Sequence, residues 1–192
     1  MNHLRFALIL AGITFLTALQ AQKPPMKWGQ VELEELNRTT FPEDTTVGAV
    51  ILGDYATLKF DFAQGSRYVF EHHRRIKILD KSAFNYGNIQ IYLYGDDQIS
   101  GLKAQTISGG SGQTFRLKGR DFYEEEVAEG VKALKFTFPN LEEGAVIEYT
   151  YTILSNRLVQ LRPWYYQHDI PTRRSEFRAD IPIWFDYLFL TN

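Results

Sequence analysis

Apolar and polar side chains alternate every second residue along most of this 192-residue chain, and that period limits the folds it can adopt. The apolar phases are Ala56, Leu58, Phe60 and Phe62; Ile89, Ile91 and Leu93; Phe115 and Leu117; Leu134, Phe136 and Phe138; Ile147, Tyr149, Tyr151 and Ile153; and Phe177, Ala179 and Ile181. Successive side chains of a strand point to opposite faces, so each run predicts one buried face and one solvated face. Many short strands separated by turns predict an all-β fold of antiparallel, β-sandwich-like sheets.

Helical signals are few, and they predict one or two short helices. Val31 to Asn37 is the first candidate, with acidic residues near its start. The segment Tyr123 to Val131 contains three successive glutamates and fits a helix, an exposed loop or a strand edge. We predict six core residues, which are Phe60, Ile91, Phe136, Ile147, Tyr149 and Ile181. The strand phase of Tyr68, Phe70, His72, Arg74 and Ile76 mixes apolar and cationic groups and suits a surface partly covered by a second domain.

Residues 1–21 are typical of a secretory signal peptide. A basic start with Arg5 precedes the apolar run Phe6 to Leu19, and Ala21 provides a small residue for cleavage. The run is short for a membrane-spanning helix, and no cysteine is present for a lipid anchor. We therefore expect an exported protein of the periplasm or cell envelope, with residues 22–192 forming one β-rich domain. Because the chain ends within an apolar run, Tyr187 to Asn192, we expect it to be a fragment of a longer protein.

Charge and cysteine content exclude several classes of function. The chain has 21 basic and 23 acidic residues, so its balance gives no electrostatic case for nucleic-acid binding. The absence of cysteine removes thiol nucleophiles, thiolate metal sites and iron–sulfur clusters, and the fold must be stable without disulfides. No phosphate-binding or dinucleotide-binding glycine motif occurs, and we expect no cofactor.

No catalytic residue or metal ligand stands out in the sequence. His72 and His73 are neighbours on a predicted strand and so face opposite sides, which disfavours chelation of one ion unless His168 folds onto that strand. A hydrolase would need two carboxylates at one cleft, for example Glu124 and Glu142, but runs of acids are usually a solvated face. We expect no metal site and a protein that is not an enzyme.

The richest segment is an aromatic loop followed by an alternating strand, each closed by an Ile-Pro pair. Trp164, Tyr165 and Tyr166 stand together in this loop. Such rings either pack beneath a loop to cap a β core or stack on a sugar or peptide. Packing is the favoured interpretation, and the three residues are also the only ligand-binding candidates in the sequence.

The order and spacing of several short blocks give the chain a specific resemblance to a known family. The blocks are Lys27-Trp28-Gly29, Leu33 to Leu36, Gly48 to Leu52, Asp54-Tyr55, His73 to Leu79, Leu102 to Ala104, Phe136 to Asn140, Gly144 to Tyr151, Trp164 to Gln167, Ile170-Pro171, Ser175-Glu176 and Ile181-Pro182. In these blocks the chain resembles the uncharacterised domain at the N-terminus of bacterial exported transglutaminase-like proteins. The resemblance covers about the whole chain after the leader.

The resemblance implies a partner and assigns no catalytic residue. In that family a papain-like transglutaminase core with a Cys-His-Asp triad usually follows the β-rich domain, and no such core can be placed in this cysteine-free chain. We therefore expect a non-catalytic domain that supports a transglutaminase-like or protease-like catalytic domain, or presents substrate to it, normally on the same chain. The alternative is a stand-alone glycan-binding or peptide-binding module of the cell envelope that uses Trp164, Tyr165 and Tyr166.

Overall fold

The computed structural model describes residues 25–42, 44–63 and 65–187. The signal peptide expected at residues 1–21 and the last residues of the apolar end lie outside these ranges. The strands are β1 Ala49–Asp61, β2 Arg67–Ile78, β3 Asn88–Tyr94, β4 Gln98–Ile107, β5 Thr114–Arg116, β6 Tyr123–Ala128, β7 Val131–Thr137, β8 Val146–Ser155 and β9 Ser175–Asp180. The helical elements are α1 Leu33–Asn37 and two 3₁₀ segments, Lys81–Gly87 and Gly119–Asp121.

Two sheets form the β-sandwich that the alternation predicts. The larger sheet has the order β5-β4-β8-β2-β1-β9, and the smaller has the order β3-β7-β6. The pairs within both sheets are antiparallel with one exception, because β9 runs parallel to β1. A parallel neighbour requires a long connection, and the residues between β8 and β9 provide it. In the described ranges, no helix has the length and apolar character needed to cross a bilayer.

The core lies between the two sheets and contains most of the predicted positions. Ile91, Phe136, Ile147 and Tyr149 are buried, as the alternation predicts. Phe60 is half-buried and packs against the edge of the core, beside Phe185. The prediction for Ile181 was wrong, because β9 ends one residue earlier and Ile181 is only partly covered.

The inward face of β2 is the centre of the core and not a surface for a second domain. Tyr68, Phe70, His72 and Ile76 are each at most 5% exposed; the smaller sheet covers them, and the β8 tyrosines lie beside them in the same sheet. The expectation of a partly covered surface was therefore wrong. His72 and Arg74 are tolerated on this face because a buried carboxylate binds both, as described below.

The outer face of the large sheet is covered at one end by the N-terminal residues. Phe41 packs with Val50, Leu52, Ile107 and Val146 in a second, smaller apolar cluster. Helix α1, inside the predicted window, lies over the same end. The acidic segment beginning at Tyr123 forms the exposed edge strand β6, so the helical alternative for it was wrong.

Close contact between two turns explains one pair of glycines. A side chain placed on Gly109 would bring its Cβ within 2.2 Å of the Gly144 carbonyl oxygen. Gly144 itself has a φ of 83°, which side chains of other residues disfavour. The turns after β4 and before β8 therefore touch because Gly109 lacks a side chain, whereas Gly144 meets the backbone conformation of its own turn.

Candidate functional site

The connection between β8 and β9, residues 156–174, carries the aromatic residues and is called the aromatic loop below. Trp164 is half-buried, stacks on Phe177 with ring centroids 5.6 Å apart, and donates from Nε1 to Ser175 Oγ at 3.1 Å. Tyr165 and Tyr166 are 65% and 56% exposed. One ring therefore anchors the loop to the core, while the next two face solvent.

Polar contacts fasten the aromatic loop to the smaller sheet and its connections. Arg162 donates from Nη2 to the Tyr92 carbonyl at 2.6 Å and to Asp97 Oδ2 at 3.0 Å. The Tyr86 hydroxyl donates to Asp169 Oδ2 at 2.7 Å. The Arg162–Asp97 pair is nearly inaccessible to solvent, so these contacts hold the loop in a defined place.

A buried carboxylate ties the same loop to the large sheet. Asp54 of β1 is 0% exposed and lies 2.6 Å from His72 Nε2 and 2.9 Å from His168 Nε2. Arg74 binds it in bidentate fashion, with donor distances of 2.9 and 2.7 Å. Asp54, His72, Arg74 and His168 are called the Asp54 cluster. Since His168 belongs to the aromatic loop, this cluster joins loop and sheet.

The local backbone explains why Asp54 points inward. The ladder between β1 and β2 shifts register between Ile51 and Gly53, which marks a β-bulge. The extra residue changes the phase of β1, so that Asp54 shares the inward face with Ala56 and Leu58. The bulge thus delivers a charge into an otherwise apolar layer.

The electrostatics of the Asp54 cluster favour an ionised carboxylate and a neutral imidazole. Burial by itself would raise the pKa of Asp54, but hydrogen bonds from His168, His72 and Arg74 outweigh it and hold that pKa well below its usual range. Burial lowers the pKa of His72, although Asp54 opposes this shift. The His72 ring meets Tyr151 and Trp164 edge-on at 5.0 and 5.6 Å. His72 Nδ1 is buried without a hydrogen-bond partner in the described part of the chain.

A second buried carboxylate organises the outer face of the large sheet. Glu148 of β8 is 0% exposed and accepts from Arg75 Nη2 at 2.6 Å, from Gln105 Nε2 at 2.8 Å and from the Gly29 backbone at 2.8 Å. His73 Nε2 lies 2.8 Å from Glu148 Oε1, the oxygen that also accepts from Arg75, whereas Gln105 and Gly29 donate to Oε2. Gly29, His73, Arg75, Gln105 and Glu148 are called the Glu148 cluster. Burial acts to raise the pKa of Glu148, but His73 and Arg75 lower it overall.

The turn at Lys27-Trp28-Gly29 explains one of the sequence blocks noted above. Gly29 has a φ of 71°, and a Cβ there would lie 3.2 Å from Gln105 Nε2. The Lys27 carbonyl accepts from Arg75 at 2.9 Å, and the Trp28 ring lies 5.8 Å from His73. This turn therefore closes the Glu148 cluster from the N-terminal side.

Lys77 is a third buried charged group on the outer face, and it has no carboxylate among its described contacts. It is 1% exposed and donates to the carbonyl oxygens of Leu36 and Gly144 at 2.6 and 2.5 Å. Burial lowers its pKa to about 8. The amine is enclosed and donates to the backbone of helix α1 and of the turn before β8, so it fastens α1 to the sheet.

Two adjoining clefts lie beside the Glu148 cluster. The larger has a volume of about 650 Å³, the smaller about 400 Å³, and Met26 and Tyr55 line both. The larger cleft has arginine walls, but each guanidinium has an acidic neighbour: Arg75 has Glu148, Arg173 has Glu35 at 3.4 Å, and Arg174 has Glu176 at 3.3 Å. The cleft is therefore close to charge balance and does not favour an anionic ligand.

Comparison with protein families identifies the family to which this chain belongs. A family described as a domain of unknown function with a solved structure, DUF3857, matches residues 65–184, which is more than half of the chain. The chain belongs to the DUF3857 family. The matched region includes β2 to β9, the whole aromatic loop, and both histidines that contact Asp54. Among curated proteins, no sequence matches the chain.

Solved structures similar to this DUF3857 chain are much longer proteins. A candidate protease from Parabacteroides distasonis shares 19% identity with a TM-score of 0.49, over 62% of this chain and 24% of that protein. Leukotriene A4 hydrolase from Saccharomyces cerevisiae shares 10% identity with a TM-score of 0.36, over 66% and 19% of the two chains. An M1 zinc metallopeptidase from Deinococcus radiodurans shares 15% identity with a TM-score of 0.28, over 61% and 23%. The chain thus spans about a quarter or less of each.

The structure separates the residues singled out in the sequence. Trp164 is an anchor at the edge of the core, whereas Tyr165 and Tyr166 are solvent-facing, and none of the three lines either cleft described above. Glu124 is exposed and lies 3.9 Å from Lys132, while Glu142 accepts from Ser108, so these two acids have different surroundings. Within residues 25–42, 44–63 and 65–187, no group of three or more His, Asp and Glu side chains is arranged to hold a metal ion.

Sequence reasoning missed Asp54 and Glu148, the two residues that organise the interior. A signal for Asp54 was available, since an acid in phase with Ala56 and Leu58, opposite a strand with His72 and Arg74 in its apolar phase, predicts a buried polar cluster. Glu148 gave no such signal. It lies on the polar phase of β8, and the N-terminal turn that covers this position comes from a distant part of the chain.

Proposed function

We propose that this DUF3857 chain is a non-catalytic, exported β-domain that supports a transglutaminase-like or protease-like catalytic domain and presents substrate to it. The export signal and the family resemblance in the sequence motivate the partner. The observation that carries the proposal is the way a rigid frame holds two exposed rings, Tyr165 and Tyr166, on an anchored loop.

The two buried carboxylates support a structural role. Both oxygens of Asp54 and both oxygens of Glu148 accept hydrogen bonds from more than one group. Their pKa values are lowered, so they remain ionised near neutral pH and hold segments together instead of exchanging protons. We therefore assign these acids to fastening the loop and the N-terminal turn to the sheet.

The first test is activity of the chain by itself. We expect no turnover of peptide or amine substrates by the purified protein, and measurable turnover would refute the non-enzymatic role. The second arm adds the chain to a purified transglutaminase-like catalytic domain from the same genome. We expect a lower KM for a peptide substrate, and we expect the effect to be lost in a variant carrying Tyr165→Ala and Tyr166→Ala.

A stand-alone glycan-binding or peptide-binding module is the second candidate, favoured by the exposure of the same two rings. Neighbouring exposed tyrosines offer faces for stacking on a sugar or a peptide side chain. Isothermal titration with an N-acetylglucosamine oligomer and with a peptide, both without any catalytic domain, separates the candidates. Binding that disappears in the double tyrosine variant favours the module. A lowered KM without such binding favours the supporting domain.

A further inference from the structure

Strand β9 forms one edge of the large sheet, and its outward backbone groups have no partner in the described part of the chain. Asp54 N–H donates to the Arg174 carbonyl at 2.9 Å, so the backbone of Arg174 faces β1. Peptide groups of a strand alternate in direction, and the N–H and C=O groups of Ser175, Phe177 and Ala179 therefore face away from β1. No backbone group of the described residues bonds to them from that side.

The charges along this edge alternate in sign on one face. Arg174, Glu176, Arg178 and Asp180 share the outer face of the sheet, beside Tyr55, Thr57 and Lys59 of β1. The series reads positive, negative, positive, negative. Among the described residues of one copy, Arg174 and Arg178 both pair with Glu176 along the strand, and ion pairs at such partly exposed positions contribute little.

We propose that β9 pairs with β9 of a second copy of this chain, in antiparallel orientation about a two-fold axis at Phe177. In this register Glu176 lies opposite Arg178 of the second copy, and Arg174 lies opposite Asp180 of the second copy. Both relations repeat by symmetry, so four opposite-charge pairs form across the joint. The two six-stranded sheets become one continuous sheet.

The backbone agrees with the same register. Phe177 faces its own equivalent, and Ser175 faces Ala179, so the outward N–H and C=O groups meet as hydrogen-bonded pairs. The charged residues then occupy the non-hydrogen-bonded positions, where side chains approach more closely. A shift by one residue brings outward groups against inward ones and removes the ladder.

The charge pattern also rejects the neighbouring registers. Moving the two-fold axis to Glu176 shifts the pairing by two residues and places Glu176 opposite Glu176 of the second copy. Moving it to Arg178 places Arg178 opposite Arg178. Parallel pairing of two copies in register does the same. Edge strands usually carry charges that block association. Here the alternation disfavours the two adjacent registers through repulsion, and the register centred on Phe177 is the one that pairs all four charges of each strand with opposite charges.

This arrangement places the two aromatic loops on the same side of the joined sheet. Phe177 points inward and stacks beneath Trp164, whose ring lies 6.5 Å from that of Tyr166. A two-fold axis perpendicular to the sheet keeps inner faces together. The inference does not depend on the proposed function, because it concerns the sheet edge alone.

The test is sedimentation equilibrium of the purified protein over a concentration series that extends into the high micromolar range. We expect a reversible dimer. Glu176→Arg and Arg178→Glu each place like charges opposite one another, and each should raise the dimer dissociation constant by about tenfold or more. The combined variant restores opposite signs at both positions, so it should recover the wild-type constant. Glu143→Arg, on an exposed turn, is the matched control and should leave the constant unchanged.

A second variant probes the backbone without changing charge. Ala179→Pro removes an outward N–H at an edge position, where proline is tolerated, and should weaken the dimer while the melting temperature of the monomer is kept. A protein that stays monomeric at all concentrations overturns the proposal. So does a dimer that both charge reversals and the proline leave intact. Failure of the charge-swapped pair to recover the dimer rejects the register.

Discussion

The Asp54 and Glu148 clusters are built from the same kinds of groups but lie on opposite faces of one sheet. Adjacent residues of β2 supply both: His72 and Arg74 reach Asp54, whereas His73 and Arg75 reach Glu148. Because the pleat sends neighbours to opposite sides, one basic run in the sequence becomes two separate clusters. Each cluster fastens a long segment to the sheet, the aromatic loop in one case and the N-terminal turn in the other.

The two clusters differ in the partners that remain for the arginine when the carboxylate is removed. Arg74 lies on the inward face of β2 with its side chain 21% exposed, and the acid paired with it is Asp54. Arg75 retains the Lys27 carbonyl, and Glu35 lies 3.9 Å away as a second acid. A buried cation without its partner is far more costly than one with a substitute. The inner cluster is therefore expected to be the less tolerant of change.

The largest expected effect is that of Asp54→Asn. Removing the charge leaves the largely covered Arg74 guanidinium without its acid, and we expect the free energy of unfolding to fall by about 3 to 5 kcal/mol. Urea denaturation followed by circular dichroism measures it. Glu71→Gln is the control, since that acid is exposed on the same strand pair and should change stability by less than about 0.5 kcal/mol.

Glu148→Gln sharpens the comparison from the other face. We expect a loss of about 2 to 4 kcal/mol, smaller than for Asp54→Asn, because Arg75 keeps its other partners. The same denaturation experiment applies. A loss equal to or larger than that of the inner variant would contradict the difference drawn between the clusters. Protease accessibility near Lys27 should increase in this variant alone, since Gly29 loses its charged acceptor.

Acidification tests the inner cluster through His72. Burial lowers the pKa of His72 in the folded protein, so the unfolded chain takes up the proton first as pH falls below the ordinary value of 6.5. Stability is complete above that pH and is lost below it, by at most about 1.4 kcal/mol per pH unit. The stability that ionised Asp54 and Glu148 provide is fully present above the ordinary pKa values of 3.8 and 4.5 and is lost only as the pH falls below them.

Denaturation midpoints measured between pH 7.5 and 5 check this expectation. His72→Gln keeps a donor for Asp54 but cannot take up a proton, so its stability should change less over that range than wild-type stability does. If the stability of the two proteins changed equally with pH over this range, His72 would not take up a proton on unfolding there.

The smallest expected effects on stability distinguish the anchored ring of Trp164 from the exposed rings of Tyr165 and Tyr166. Ser175→Ala removes the partner of Trp164 Nε1, and we expect a loss of about 1 kcal/mol. Tyr165→Ala and Tyr166→Ala should each change stability by less than about 0.5 kcal/mol, because both rings face solvent. Thermal unfolding of the three variants side by side measures the difference. A large loss from either tyrosine would mean that its ring packs in solution.

The β-sandwich itself could be predicted from the sequence because a two-residue period indicates which face of each strand is apolar. Four predicted core residues, Ile91, Phe136, Ile147 and Tyr149, are buried for this reason. Ile181 continued the same pattern one residue past the end of β9 and is only partly covered. The parallel pairing of β9 with β1 could not be predicted from the local sequence pattern either, since strand direction depends on where a long connection returns.

The candidate site could be predicted from the sequence only in part. The aromatic loop stood out by composition, yet composition alone did not separate Trp164, which packs, from Tyr165 and Tyr166, which do not. The meeting of Asp54 with His168 joins residues 114 positions apart, and no local spacing encodes it. Only the return of the loop over the sheet brings the two together.

The amino-acid order by itself determined the layered β architecture of this protein, because side-chain alternation is a local property of the extended backbone. Tertiary structure alone decided which charged residues became interior fastenings and which stayed in water. Burial depends on the segments that come to lie over a position, and for Asp54 and Glu148 those segments come from distant parts of the chain.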